Sequence, residues 1–224
     1  LGKTIDIHGG GQDLVFPHHE NEMAQSVCSH DGAPFANYWV HNGFVTVEKR
    51  KMSKSLGNTL VVHQLLEKWP GEVLRFLLLS AHYRQPLDWS EQELERARRT
   101  LDRLYAVLRI AQDQHGPFEA AEAPGKAFLE ALCDDINTPD ALAEFNRVAR
   151  NLAKAESTEE ARAVGAELLA DARLIGLLQN SPDAWFGADD SDPESEAIES
   201  LIKQRNQARA DRDFAAADSI RDQL

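Results

Sequence analysis

Cysteine is scarce: the 224 residues hold only Cys28 and Cys133, and neither has a CxxC partner. Two isolated thiols exclude a disulfide framework, and cytoplasmic residence is the expectation that follows. No stretch approaches the roughly 20 apolar residues that a membrane helix requires, so no membrane partner is expected. The opening residues, Leu1 to His8, lack the apolar core of a signal peptide and read as a short strand, so the chain is expected to begin inside a domain. Net positive charge is also missing. The formal charge is −13, yet residues 1–60 carry 5 basic and 6 acidic side chains, so the acidity belongs to residues 61–224. An acidic chain is a poor general nucleic-acid binder, and any RNA contact has to use local basic clusters.

With 42% hydrophobic and 27% charged residues, the composition is that of an ordinary globular chain, long enough for two modest cores. Residues 1–60 are rich in Gly, His and Asn, with short apolar runs at Ile5–Ile7, Tyr38–Val40 and Phe44–Val47 and one helix between them, which reads as α/β. Residues 61–89 form a connecting helical region, Val61–Lys68 and Glu72–Ala81, broken at Pro70-Gly71. From Ser90 a long helix is expected. Ser90 and Glu93 make a capping box, and Leu94, Ala97, Leu101, Leu104 and Leu108 repeat at helical spacing on one face. His115-Gly116-Pro117 ends it, and helices over Gly125–Cys133, Pro139–Glu156 and Thr158–Leu178 complete a helical bundle spanning residues 90–180. Residues 181–197, rich in Asp, Ser, Gly and Pro, read as a mobile linker. Residues 198–224 read as the start of a charged helical hairpin, Ile198–Arg209 and Phe214–Leu224.

Three local patterns carry chemistry. Lys51-Met52-Ser53-Lys54-Ser55 puts two ammonium groups three residues apart, where they can stabilise charge developing on a polyphosphate; a solvated Lys/Ser loop explains the same residues. Gly9-Gly10-Gly11-Gln12-Asp13-Leu14 follows a strand directly. Glycines at a strand end let backbone approach a nucleotide, and a carboxylate can accept from ribose hydroxyls, although a tight glycine turn reads the same way. In Phe16-Pro17-His18-His19-Glu20-Asn21-Glu22, the spacing of His18 and Glu22 places imidazole and carboxylate on one helix face, as a metal would need or as a simple His–Glu hydrogen bond would.

In this order the three motifs, with Tyr38-Trp39-Val40-His41-Asn42-Gly43 between them, resemble the second half of the catalytic domain of cysteinyl-tRNA synthetases. The resemblance continues through His82-Tyr83-Arg84-Gln85-Pro86-Leu87-Asp88 and Asp134-Asp135-Ile136-Asn137-Thr138-Pro139-Asp140-Ala141-Leu142 to Ala216-Ala217-Asp218-Ser219-Ile220-Arg221. It implies an α/β remnant, the C-terminal half of a class I Rossmann catalytic domain, followed by a mainly α helical-bundle domain. Implied too is ATP-dependent activation of L-cysteine to cysteinyl-adenylate and its transfer to tRNA(Cys). Lys51 and Lys54 would then be catalytic, with Lys54 also binding ATP beside Gly10 and Asp13, and magnesium accompanying the ATP. His8 would line the cysteine pocket, and His18 and Glu22 would be two of four zinc ligands. A thiolate is a far better zinc ligand than a serine hydroxyl, so the metal explains selection.

The family's HIGH-type signature and two cysteine zinc ligands are not in this sequence. Weak or no zinc binding and an inactive fragment are therefore expected, cut at both ends, from a parent expected to be monomeric. Lys203, Arg205, Arg209 and Arg212 could meet RNA phosphates or simply face water. Two other readings stand beside this one: a cysteine ligase acting on an amino sugar, as in mycothiol-type pathways, and a non-catalytic tRNA-binding module. The long helical continuation favours the tRNA enzyme over the first, and intact His18, Glu22, Lys51 and Lys54 count against the second.

Overall fold

The computed structural model describes residues 2–52 and 60–187. Lys54 with the rest of residues 53–59, most of the expected linker, and the terminal hairpin with Lys203, Arg205, Arg209 and Arg212 lie outside the described residues. The chain divides into two units, Leu1–Gln179 and Asn180–Leu224.

In the first unit, strand β1 (Ile5–Gly11) pairs in parallel with β2 (Ala36–Asn42), the crossover being helix α1 (Glu20–Ser29). Parallel pairing requires such a crossover, and it sets Gly10 opposite His41 and Ile7 opposite Tyr38. Ile7 and Tyr38 are 65% and 69% exposed, so this sheet leaves apolar surface open. A second sheet has the order β4-β3-β5, with β3 (Val45–Val47) antiparallel to β4 (Arg50–Lys51) and parallel to β5 (Leu87–Trp89). β5 adds a strand to residues 61–89, which the sequence reading made a connecting helical region with helices at Val61–Lys68 and Glu72–Ala81. Helices α2 (Val62–Leu66) and α3 (Gly71–Leu79) fill only part of that span. The strand exists because Leu87 to Trp89 find a partner in β3, a contact with no local signature.

Helix α4 (Glu91–His115) begins where expected. Ser90 Oγ accepts from the Glu93 amide, and Leu94, Ala97, Leu101, Leu104 and Leu108 are buried along one face. Around it pack α3, α6 (Thr138–Leu152) and α7 (Thr158–Ile175), while α5 (Lys126–Cys133) packs on α6. Val73, Leu77, Leu101, Tyr105, Phe128, Phe145 and Leu168 form the core. Burying one such Leu is worth about 1.5–3 kcal/mol. The Tyr105 hydroxyl donates to Glu72 Oε2 at 2.8 Å, and Glu72 Oε1 accepts from the Leu178 amide. α3 and α4 thus share one core across the boundary drawn at residues 89 and 90. Apolar faces of α3 and α4 match each other, so packing joins what composition separated.

The second unit holds helix α8 (Pro182–Phe186), capped by Ser181 Oγ accepting from the Ala184 amide at 3.1 Å. This corrects the reading of residues 181–197 as linker throughout. A Ser N-cap followed by Pro at the first helical position stabilises even one turn and a half.

Candidate functional site

The site is built at the carboxyl ends of β1 and β2. His8 stands on β1, and the chain then turns through Gln12–Leu14 and the kinked segment Val15–His19 into α1, which carries Glu22. This return path brings residues 14 apart into contact: His8 Nε2 donates to Glu22 Oε2 at 3.0 Å. His18 Nε2 lies 3.5 Å from the other carboxylate oxygen, the i to i+4 neighbour the sequence indicates. One carboxylate therefore joins both imidazoles.

His19 is the residue sequence reasoning passed over. Its ring is buried at 5% exposure, and ligand atoms of His8, His19 and Glu22 all lie within 4.8 Å of one another. Among the described residues, His19 Nδ1 and His41 Nδ1 are buried without a hydrogen-bond partner. His19 stacks on His41 with ring centres 5.2 Å apart and meets the edge of His8 at 4.9 Å. Trp39 closes the cluster, 4.8 Å from His8 and 5.4 Å from His19. Burial holds the His19 imidazole below its ordinary pKa, and neighbouring His8 and His41 push the same way. A neutral imidazole keeps a lone pair free for coordination. Beside it lies a cavity of about 220 Å³ lined by Val15, His19, Glu20, Met23, Trp39 and His41.

The glycines are spaced for close approach. A methyl group on Gly10 would stand 2.9 Å from the His19 ring, and one on Gly11 would stand 2.5 Å from Asp13 Oδ1. Gly10 therefore borders the histidine cluster, while Gly11 borders the Asp13 carboxylate. Lys51 sits on β4, where its backbone pairs with Thr46. The structure brings together His8, His18, Glu22 and Gly10; Asp13 lies against Gly11, and Lys51 belongs to the second sheet. His19 could have been found from the doubled histidine in the motif, although only β1 explains why it faces inward.

Comparison with known proteins adds the family. Residues 1–99 match the family described as the class I (C) tRNA synthetase catalytic domain, and residues 127–179 match the DALR domain. The chain is 57% identical to the Cysteine–tRNA ligase of Maricaulis maris, over all of this chain and 48% of that protein. Over the whole chain it is 53% identical to the Cysteine–tRNA ligase of Xanthomonas campestris pv. campestris, again covering 48% of the relative. The chain spans about half the length of the curated relatives it matches. In fold it is similar to LeuRS of Agrobacterium radiobacter K84, solved as a ternary complex with tRNA and LeuAMS, with a TM-score of 0.61 at 19% identity over 76% of this chain and 25% of that one. Residues 1–99 belong to the class I (C) tRNA synthetase catalytic domain family and residues 127–179 to the DALR domain family.

Proposed function

We propose that this chain is part of a cysteine–tRNA ligase, which activates L-cysteine with ATP to cysteinyl-adenylate, releases pyrophosphate, and passes the cysteinyl group to tRNA(Cys). The observation that carries the reading is the convergence of His8, His18, His19 and Glu22 beside the glycine end of β1. Relatives over 50% identical along the whole chain bear the same activity in their names. Those names favour tRNA over an amino sugar as acceptor, and an intact donor cluster argues for catalysis over a purely RNA-binding role. Among the described residues no helix is long and apolar enough to cross a membrane. We place the reaction in the cytoplasm and the parent protein as a monomer.

The donor set fits zinc. Imidazole and carboxylate are ordinary zinc ligands, and a tetrahedral ion with bonds of about 2.0–2.1 Å holds its donors on the order of 3.3 Å apart. Three of the atoms here already lie within 4.8 Å, and His19 presents an orphaned buried nitrogen. His18 and Glu22, 3.5 Å apart, would hold the ion, and His8 and His19, whose ligand atoms lie within 4.8 Å of the Glu22 carboxylate, would complete the donor set. When bound, zinc favours a substrate thiolate over a hydroxyl, the basis for choosing cysteine over serine.

The remaining groups position and stabilise. His8 would line the cysteine pocket, where it also orients Glu22. Gly10 and Asp13 would meet the nucleotide, with Asp13 accepting from ribose. Lys51 and Lys54 would stabilise charge developing on the phosphates of magnesium-bound ATP. The amino-acid carboxylate is itself the nucleophile, so activation needs proximity more than a general base. The reading is tested by offering the longest product of this gene both acceptors. Transfer of labelled cysteine to tRNA(Cys) is expected; transfer to an amino sugar, or to neither, would overturn it.

A further inference from the structure

The two-residue connection between β3 and β4 is unusual in composition. Glu48 and Lys49 both have positive φ, 52° and 60°, the combination a tight primed hairpin turn demands and that Asn-Gly normally supplies. Neither residue favours that conformation, so something outside the hairpin has to hold it. That something is Asp88 on β5. Its Oδ1 accepts from the Lys49 amide at 2.7 Å and from the Thr46 hydroxyl at 2.6 Å. The Glu48 amide donates to the carbonyl of Trp89 at 3.2 Å, so both turn residues are tied to β5. Thr46 pairs with Asp88 on one side and with Lys51 on the other, placing Asp88, Thr46 and Lys51 in one row across three strands.

We propose that Asp88 is a positioning residue for Lys51: it grips the strained turn and Thr46, and so fixes the register at which the lysine-bearing strand is delivered to the phosphates. This rests on the reading of Lys51 as a phosphate-stabilising residue. A carboxylate is suited to the task because two donors, one from backbone and one from a side chain, converge on a single oxygen, and an ionised acceptor makes the stronger bonds. Displacing a catalytic group by as little as about 1 Å can reduce a rate by about 100-fold, so an anchor one strand away matters to the chemistry without touching substrate.

The experiment compares wild type with Asp88→Ala, Asp88→Asn and Thr46→Val in the longest product of the gene, measuring cysteine-dependent ATP–pyrophosphate exchange and amide hydrogen exchange over residues 45–51. Asp88→Ala is expected to lower kcat between about 10- and 100-fold while KM for cysteine stays within about twofold, and to release the Lys49 amide from protection. Asp88→Asn keeps an acceptor oxygen and should restore most of both; Thr46→Val, which leaves the turn bond, should have a smaller effect in the same direction. An unchanged kcat in Asp88→Ala, an equal rise in KM for cysteine, or a Lys49 amide as protected as in wild type would overturn the anchor. Absence of exchange in the wild type itself would instead overturn the functional reading, and the Lys49 amide would still judge the anchor.

Discussion

Arg84 holds Asp135 in a two-pronged grip: Nε donates to Oδ2 at 2.6 Å and Nη2 to Oδ1 at 3.0 Å, while the Tyr83 hydroxyl adds a third bond to Oδ1 at 2.7 Å. Arg84 lies in the part of the chain that matches the catalytic domain and Asp135 in the part that matches the DALR domain, so the fork ties one to the other. The Arg84 guanidinium and then the Tyr83 hydroxyl hold the Asp135 carboxyl down to about 2. A depressed carboxyl stabilises the fold above its ordinary value, and that contribution is lost as pH falls through the folded one. Asp135→Asn should therefore melt below wild type at neutral pH, with the gap narrowing as pH falls from about 4 towards 2. Thermal melts over that range check it, and a constant gap would contradict the linkage.

Asp171 runs the opposite way. It is fully buried on α7, where Oδ1 accepts from the Gly125 amide at 2.7 Å and Oδ2 has no partner. Burial pushes its pKa up to about 6, against the pull of the Gly125 bond. The stabilisation is then present below the ordinary carboxylate range and is lost as pH rises to about 6, by up to about 3 kcal/mol. Denaturation midpoints of Asp171→Asn should gain on wild type between pH 4 and pH 7, and parallel pH profiles would rule the effect out.

Gly10 makes room for a ring rather than for a turn. Gly10→Ala would force the His19 imidazole aside, an overpacking that typically costs about 1–3 kcal/mol. The expected result is a lower melting midpoint together with a changed environment for Trp39, visible in its fluorescence because Trp39 and His19 are in contact. An unaltered spectrum would mean the ring is not where the geometry puts it.

Metal binding follows from the donor set. Titrating this chain with zinc should show weak binding, and Glu22→Gln should weaken it at least about tenfold because the carboxylate contacts both His8 and His18. Tight equimolar binding that survives the substitution would place the ion elsewhere.

What the sequence made legible was local. Ser90 with Glu93 and the Leu94-to-Leu108 stripe located α4 because capping and helical periodicity are both properties of neighbouring residues. The pairing of His18 with Glu22 was readable for the same reason. His8 and Asp88 were not readable as partners of Glu22 and Lys49. Each acts across 14 and 39 residues, and only the parallel strands β1 and β5 bring them into place. His19 is the intermediate case, its type visible and its burial not. The roles of Lys51 and Lys54 rest on the family resemblance and on their spacing of three residues.

The measurement that bears most directly on the central claim is ATP–pyrophosphate exchange by the longest product of this gene, with cysteine or serine as the amino acid, in wild type and in Lys54→Ala. Exchange with cysteine alone, falling by about 10²–10³-fold in the variant, is the predicted result. Exchange that serine supports equally, or that Lys54→Ala leaves intact, would contradict the account.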